Sequence, residues 1–168
     1  MNRFSRIFAA AMLLAAGFAL AGPAVAGPAV VGEEHCVVNV RAEDRLNIRS
    51  GPGSRFESLG GLAYGRCGIV VMAQCQGNWC PIEDGHFAGF VHQHFIAMVS
   101  PARYCVIGVA PSDKLNLRAF PAASSRVLTR LNPDQCDIAF LPYARGAWQK
   151  IRVDGWEGWV NRAFLSGQ

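Results

Sequence analysis

The sequence predicts an all-β protein built as two small barrels in tandem, and three observations lead there. A shift of 69 residues lays the second half of the chain on the first without a gap. Short apolar runs alternate with turns rich in Gly, Pro and Asn, as in sheets of many short strands. Six cysteines, an even number, all lie beyond an apolar leader, as in small exported domains stapled by disulfides.

The repeat carries most of the argument. Cys36 falls on Cys105 and Cys67 on Cys136, so two cysteine pairs share one separation, 31 residues. Leu46-Asn47-Ile48-Arg49 falls on Leu115-Asn116-Leu117-Arg118, Pro52 on Pro121, Trp79 on Trp148, Gly89 on Gly158 and Val91 on Val160. Matched Cys, Trp and Pro at a single offset mark a duplicated unit. Two equivalent bridges follow, Cys36 with Cys67 and Cys105 with Cys136. The second copy carries Ala144 and Gln149 where the first has Cys75 and Cys80, so that remaining pair closes on itself across Gly77-Asn78. Reading Cys75 and Cys80 as half a zinc site would need two further ligands nearby. Each copy has about 60 residues, a size at which a core alone is marginal. Closing each 31-residue loop contributes roughly 3 to 4 kcal/mol in the chain-entropy account.

Within a copy the strand candidates are 36–40, 46–49, 67–75, 79–82 and 88–91; the second copy repeats the plan at 138–143, 148–153 and 157–160. Gly51-Pro52-Gly53, Gly60-Gly61 and Asp84-Gly85 read as the intervening turns. Period-2 alternation puts Leu46 and Ile48 on one face and Asn47 and Arg49 on the other. A short helical turn at 92–95 and 161–164 closes each unit.

Residues 1–26 read as a secretory signal peptide: Arg3 and Arg6 without an acid, then a 15-residue apolar run from Ile7 to Ala21, then Ala24-Val25-Ala26. Cleavage is expected after Ala26, with Ala21 as the second site, and an uncleaved anchor is weighed against by the length of the run. Residues 27–35 are expected to be a flexible tail, followed by one domain at 36–97, a linker at 98–104 and a second domain at 105–168. Without Arg3 and Arg6 the 16 basic side chains become 14, against 12 acidic ones. That near-neutral balance argues against nucleic acid as a partner.

The order Leu-Asn-Ile-Arg-Ser-Gly-Pro, Leu59-Gly60, a hydrophobic strand, Gly-Asn-Trp, Gly-Phe-Val and Phe95-Ile96 resembles the bacterial SH3 domain family. The second copy, with Leu-Asn-Leu-Arg-Ala-Phe-Pro, Gly-Ala-Trp, Gly-Trp-Val and Phe164-Leu165, is similar to it too. The resemblance implies a five-stranded, strongly bent SH3-like barrel per copy. It also implies a role outside the cytoplasm, periplasmic or extracellular, in cell-wall targeting or in peptide or protein binding. The cysteines depart from the family pattern, as does Phe120 in place of the Gly expected before Pro121.

Catalytic readings fare poorly against the residues. A thiol nucleophile needs a free cysteine, and the bridges consume all six. Glu83-Asp84 sits beside a turn glycine, where acids are common for local reasons, and Gly51-Pro52-Gly53 lacks the spacing of a phosphate loop. His86, His92 and His94 are replaced by Gly155, Asn161 and Ala163 in the second copy and read as solvated histidines rather than metal ligands. No metal, cofactor or membrane anchor in the mature chain is expected. The remaining chemistry is aromatic. Trp148, Trp156 and Trp159, flanked by Arg118, Arg145 and Arg152, correspond to Trp79, Phe87 and Phe90 with Arg49. Val160 and Val91 take the inward face, which turns Trp159 and Phe90 outward. Such a surface binds extended peptides by apolar burial and cation-π contact. The expectation is an exported, non-catalytic binding module for cell-wall peptides or an envelope protein. The competing reading is a structural adaptor or an inhibitor of a wall enzyme, without a ligand groove.

Overall fold

The computed structural model describes residues 28–167; the leader and cleavage site expected from the sequence lie outside the described residues. The first unit contains β1 (Glu34–Val37), β2 (Arg45–Arg49), β3 (Ser58–Ala63), β4 (Ile69–Val71), β5 (Trp79–Glu83), β6 (Ala88–His92) and β7 (Ile96–Met98). The second contains β8 (Leu115–Arg118), β9 (Val127–Leu131), β10 (Ala139–Arg145), β11 (Trp148–Val153) and β12 (Trp156–Asn161). A 3-10 turn follows β6 at Gln93–Phe95 and β12 at Arg162–Phe164.

Five strands run in the same order in both sheets, β3-β2-β6-β5-β4 and β9-β8-β12-β11-β10. In the first sheet β1 and β7 extend the array to seven strands, because β1 pairs antiparallel with both β4 and β7. In the second, the corresponding contacts shrink to the single bridges Tyr104↔Ile138 and Val106↔Leu165. Each sheet closes over its own apolar cluster, around Ile48, Ile69, Ile82, Val91 and Ile96 in one and Leu117, Ile138, Ile151, Val160 and Leu165 in the other. The disulfides join Cys36 to Cys67, Cys75 to Cys80 and Cys105 to Cys136.

Four local expectations change. Gly60-Gly61 is not a turn but the middle of β3. The glycines are there because β3 is covered closely. A Cβ on Gly60 would sit 3.1 Å from the Phe87 ring, and one on Gly61 3.0 Å from Arg45 Cβ. The candidate at 36–40 ends at Val37, because Asn39 turns the chain with a φ of 57°, and only Ile69–Val71 of the candidate at 67–75 is strand. The flexible tail is tethered: Val31 forms a parallel bridge with Val71, Gly32 N–H donates to Val71 O at 2.8 Å, and Ala29 packs on the core. His35, fully buried, holds this segment from inside. Its Nε2 accepts from Val30 N–H, which leaves the proton on Nδ1 to donate to Glu33 O. Burial lowers its pKa, so the ring is neutral and fits its two partners.

A third apolar cluster lies between the barrels, with Cys36, Val38, Ala97 and Val99 on one side and Ala139, Leu141 and Tyr143 on the other. The stretch expected to be a linker is part of it. Val99 is buried, and Ser100 exchanges bonds with Phe140, its N–H donating to Phe140 O and its Oγ accepting from Phe140 N–H. Tyr143 Oη donates to Val37 O at 2.7 Å, and the ring of Tyr64 meets that of Tyr143 edge-on. Arg152 reaches across to both oxygens of Glu34 at 2.9 and 3.0 Å. The two barrels therefore share one packed, hydrogen-bonded seam.

Candidate functional site

Each barrel carries a groove, and the two grooves are built from the same positions. The first, with a volume of about 350 Å³, is lined by Asp44, Asn47, Arg49, Trp79, His92 and Phe95, among others. The second, of about 500 Å³, is lined by Asp113, Asn116, Arg118, Trp148, Asn161 and Phe164. Every one of the eleven residues lining the first has its counterpart, 69 positions on, in the lining of the second.

Local chemistry explains why the groove recurs. Asp44 Oδ1 accepts the N–H of Arg45 and Asp113 Oδ1 that of Lys114, both at 2.7 Å, so each aspartate fixes the loop entering β2 or β8. Arg49 Nη1 donates to Phe56 O and Arg118 Nη1 to Ser125 O, both at 2.8 Å. These guanidiniums brace the loop after the strand, and their remaining donors are left to serve the groove. Alternation does the rest. In β2 and β8 the buried Leu46, Ile48, Leu115 and Leu117 point inward, which turns Asn47, Arg49, Asn116 and Arg118 to the groove. Trp79 and Trp148 begin β5 and β11 and pair with His92 and Asn161. His92 Nδ1 and Asn161 Oδ1 accept N–H bonds from the 3-10 turns that bring Phe95 and Phe164 in beside them.

Of the residues singled out from the sequence, the structure brings Trp79 and Arg49 together in one groove and Trp148 and Arg118 in the other. Trp156, Trp159 and Phe90 line neither. Trp159 does leave its own core, as alternation requires, but it is half-buried against the seam between the barrels. It is therefore packed rather than displayed. Trp156 is exposed at the tip of the β11–β12 hairpin, and Phe90 is half-buried opposite Arg49 and Pro81. Arg152, expected beside the aromatic surface, is engaged by Glu34 and Glu157. His86 is exposed, and His92 and His94 meet edge to face at 6.5 Å. Among the described residues no group of three or more His, Cys, Asp or Glu could hold a metal ion.

Sequence reasoning missed Asp44, Asp113, Phe95 and Phe164 as groove residues. The signal was present in the repeat, since Asp44 and Asp113 are identical at the common offset and so are Phe95 and Phe164. Phe120 also finds its explanation. In the first barrel the Phe56 ring lies so close over Gly51 that a Cβ there would be 2.5 Å away. In the second, position 125 is Ser, whose Oγ accepts from Phe120 N–H, and the Phe side chain moves to position 120 instead. The aromatic ring and the small residue have changed places across one loop.

Residues 44–97 match the bacterial SH3 domain family. Over 132 residues, 71% of this chain, the sequence is 23% identical to YrvJ of Bacillus subtilis (strain 168), which carries the name of an N-acetylmuramoyl-L-alanine amidase. The chain spans 25% of that relative's length. Solved structures similar to it include NlpC2 of Trichomonas vaginalis, at 8% identity and a TM-score of 0.38 over 82% of this chain and 49% of that one. NlpC1 of the same organism matches at 9% identity and a TM-score of 0.38, over 88% of this chain and 52% of the other. No helix among the described residues is long and apolar enough to cross a membrane.

Proposed function

We propose that this protein is an exported, non-catalytic binding module in which two bacterial SH3-type barrels, behind a cleaved leader, each hold a cell-wall peptide in the same groove. The observation that carries this reading is the recurrence of one groove, position for position, in both copies. A groove that only filled space between strands would need the core positions to match. Here the outward Asp, Asn, Arg and Trp match as well. The combination suits an extended peptide: an indole wall for apolar contact, and Arg and Asn donors for backbone carbonyls or carboxylates. The name of the relative that aligns over 132 residues points to the wall, and the three disulfides suit an oxidising compartment.

The test is sedimentation with purified peptidoglycan. Wild type is expected to co-sediment and release no soluble fragments. Trp79→Ala combined with Trp148→Ala is expected to weaken binding at least tenfold, as for a hot-spot pair, with the circular dichroism unchanged. Wild-type protein remaining in the supernatant would favour the adaptor reading, and solubilised muropeptides would make the protein an enzyme.

A further inference from the structure

The two grooves use the same positions but differ in lining at Asn39/Gly108, Arg41/Ala110, Arg45/Lys114 and His92/Asn161, and on one flank a further exchange sets them apart. Asn47 in β2 faces Gly61 in β3, and its counterpart Asn116 in β8 faces Arg130 in β9. In the first barrel the missing side chain lets Arg45 lie down across the strand. Arg45 Nη1 donates to Gly61 O at 3.2 Å, and a Cβ on Gly61 would touch Arg45 Cβ at 3.0 Å. In the second barrel that strand position carries Arg130, and Lys114, the counterpart of Arg45, is bound only through its backbone N–H among the described residues. A polar pocket of about 380 Å³ opens there, lined by Ser112, Asp113, Lys114, Asn116 and Arg130. It shares Asp113, Lys114 and Asn116 with the Trp148 groove and so continues it. Neither Lys114 nor Arg130 takes part in an ion pair among the described residues. Asp113 is the one acid, and one of its oxygens is committed to Lys114 N–H, which leaves two exposed cations against one anion.

We infer that this flank is a carboxylate subsite belonging to the second barrel alone, and that it makes the two grooves differ in their preference for an acidic ligand. The inference rests on the groove reading above and adds to it. A ligand lying against Trp148 would place an acidic group between Lys114 and Arg130, where the guanidinium offers paired donors and Asn116 and Ser112 complete the polar wall. The same ligand in the first barrel meets an Arg45 already lying against its own strand and, on another part of the wall, Arg41, whose counterpart is Ala110, but no paired cations at the Gly61 position.

The experiment uses two synthetic wall tetrapeptides, one with free carboxylates and one fully amidated, titrated into isotope-labelled protein. The indole N–H resonances of Trp79 and Trp148 report the two grooves separately. The free acid is expected to bind the Trp148 groove about two- to fivefold more tightly than the amide, the range of an exposed charge pair, and the Trp79 groove with a smaller preference. Arg130→Gly, which restores the residue of the first copy, should abolish that preference while Trp148 still responds. If both indoles respond and neither discriminates, the subsite is refuted while the grooves stand. If neither indole responds to either peptide, the groove reading itself falls. Discrimination that survives Arg130→Gly also overturns the inference.

Discussion

The hairpin from β4 to β5 and its counterpart from β10 to β11 solve the same problem with different chemistry. In the first barrel regular pairing stops after Val71, and the chain is tied by the short disulfide from Cys75 to Cys80. In the second, β10 continues through a bulge between Phe140 and Ala144 and pairs Ala144 with Gln149. Gln149 stands where Cys80 stands and is 5% exposed. Its Nε2 donates to Leu141 O at 2.7 Å, Tyr143 O at 3.1 Å and Lys150 O at 3.0 Å. One side-chain amide thus does for the second hairpin what a covalent bond does for the first. The consequence reaches beyond the hairpin, because the bulge turns Leu141 and Tyr143 into the seam between the barrels. Met72, the counterpart of Leu141, is 53% exposed. The same repeat position is solvent-facing surface in one copy and interface in the other.

The largest expected effect concerns the disulfides that the copies share. Loss of a 31-residue loop closure costs roughly 3 to 4 kcal/mol in either barrel. Cys36, however, is fully buried in the seam cluster, whereas Cys136 is exposed. Cys36→Ala with Cys67→Ala should therefore destabilise more than Cys105→Ala with Cys136→Ala, measured by the urea midpoint. Equal losses would mean that the seam adds nothing to the first barrel.

Next comes the glutamine. Gln149→Ala removes the donor shared by three carbonyls, two of these bonds being buried, and should cost about 2 to 3 kcal/mol. Ala144→Cys with Gln149→Cys transplants the first barrel's staple onto a cross-strand pair, and is expected to recover much of that loss under oxidising conditions only. No difference between oxidised and reduced protein would show that the two hairpins are not interchangeable. Tyr143→Phe should then cost about 1 kcal/mol, the net value of one hydrogen bond. The readout is the coupling between barrels: wild type is expected to unfold in one calorimetric transition, which the variant broadens.

The repeat, the all-β class and the staples within each barrel were legible in the sequence because cysteine spacing and period-2 alternation are local signals. The strand β3 was not, because Gly60 and Gly61 look like a turn until Phe87 and Arg45 are seen to cover them. Alternation turned Trp159 out of its own core, and nothing local could show that a second barrel covers it. Trp79, Trp148, Arg49 and Arg118 were found as candidates because they recur, and the groove emerged only when β2, β5 and the 3-10 turn were brought together. The seam was illegible for the same reason: Tyr143 and Val37 are 106 residues apart.

The smallest effect separates the two barrels by acid. At the start of the first barrel stand Glu34 and His35, and at the start of the second Arg103 and Tyr104, the latter stacked on Phe140. Only the first barrel therefore carries a carboxyl and an imidazole there. The hydrogen bonds from Arg152 hold the Glu34 carboxyl below its ordinary 4.5, against the opposing pull of burial. A carboxyl lowered in the folded state contributes stability that is complete above pH 4.5 and is lost as pH falls through the lower folded value. His35 acts in a different window. Its folded pKa lies below 6.5 because burial disfavours the imidazolium, so the unfolded chain takes up the proton first and stability declines as pH falls from about 6.5. Urea midpoints measured from pH 7 to pH 3 should thus fall in two steps. His35→Gln should flatten the first step. Arg152→Met should flatten the second, and costs under about 1 kcal/mol at neutral pH because about a third of each partner's side chain remains in solvent. If Arg152→Met leaves the lower step unchanged, the Arg152–Glu34 pair is not what links the barrels in acid, and the seam is held by Tyr143 and the apolar cluster alone.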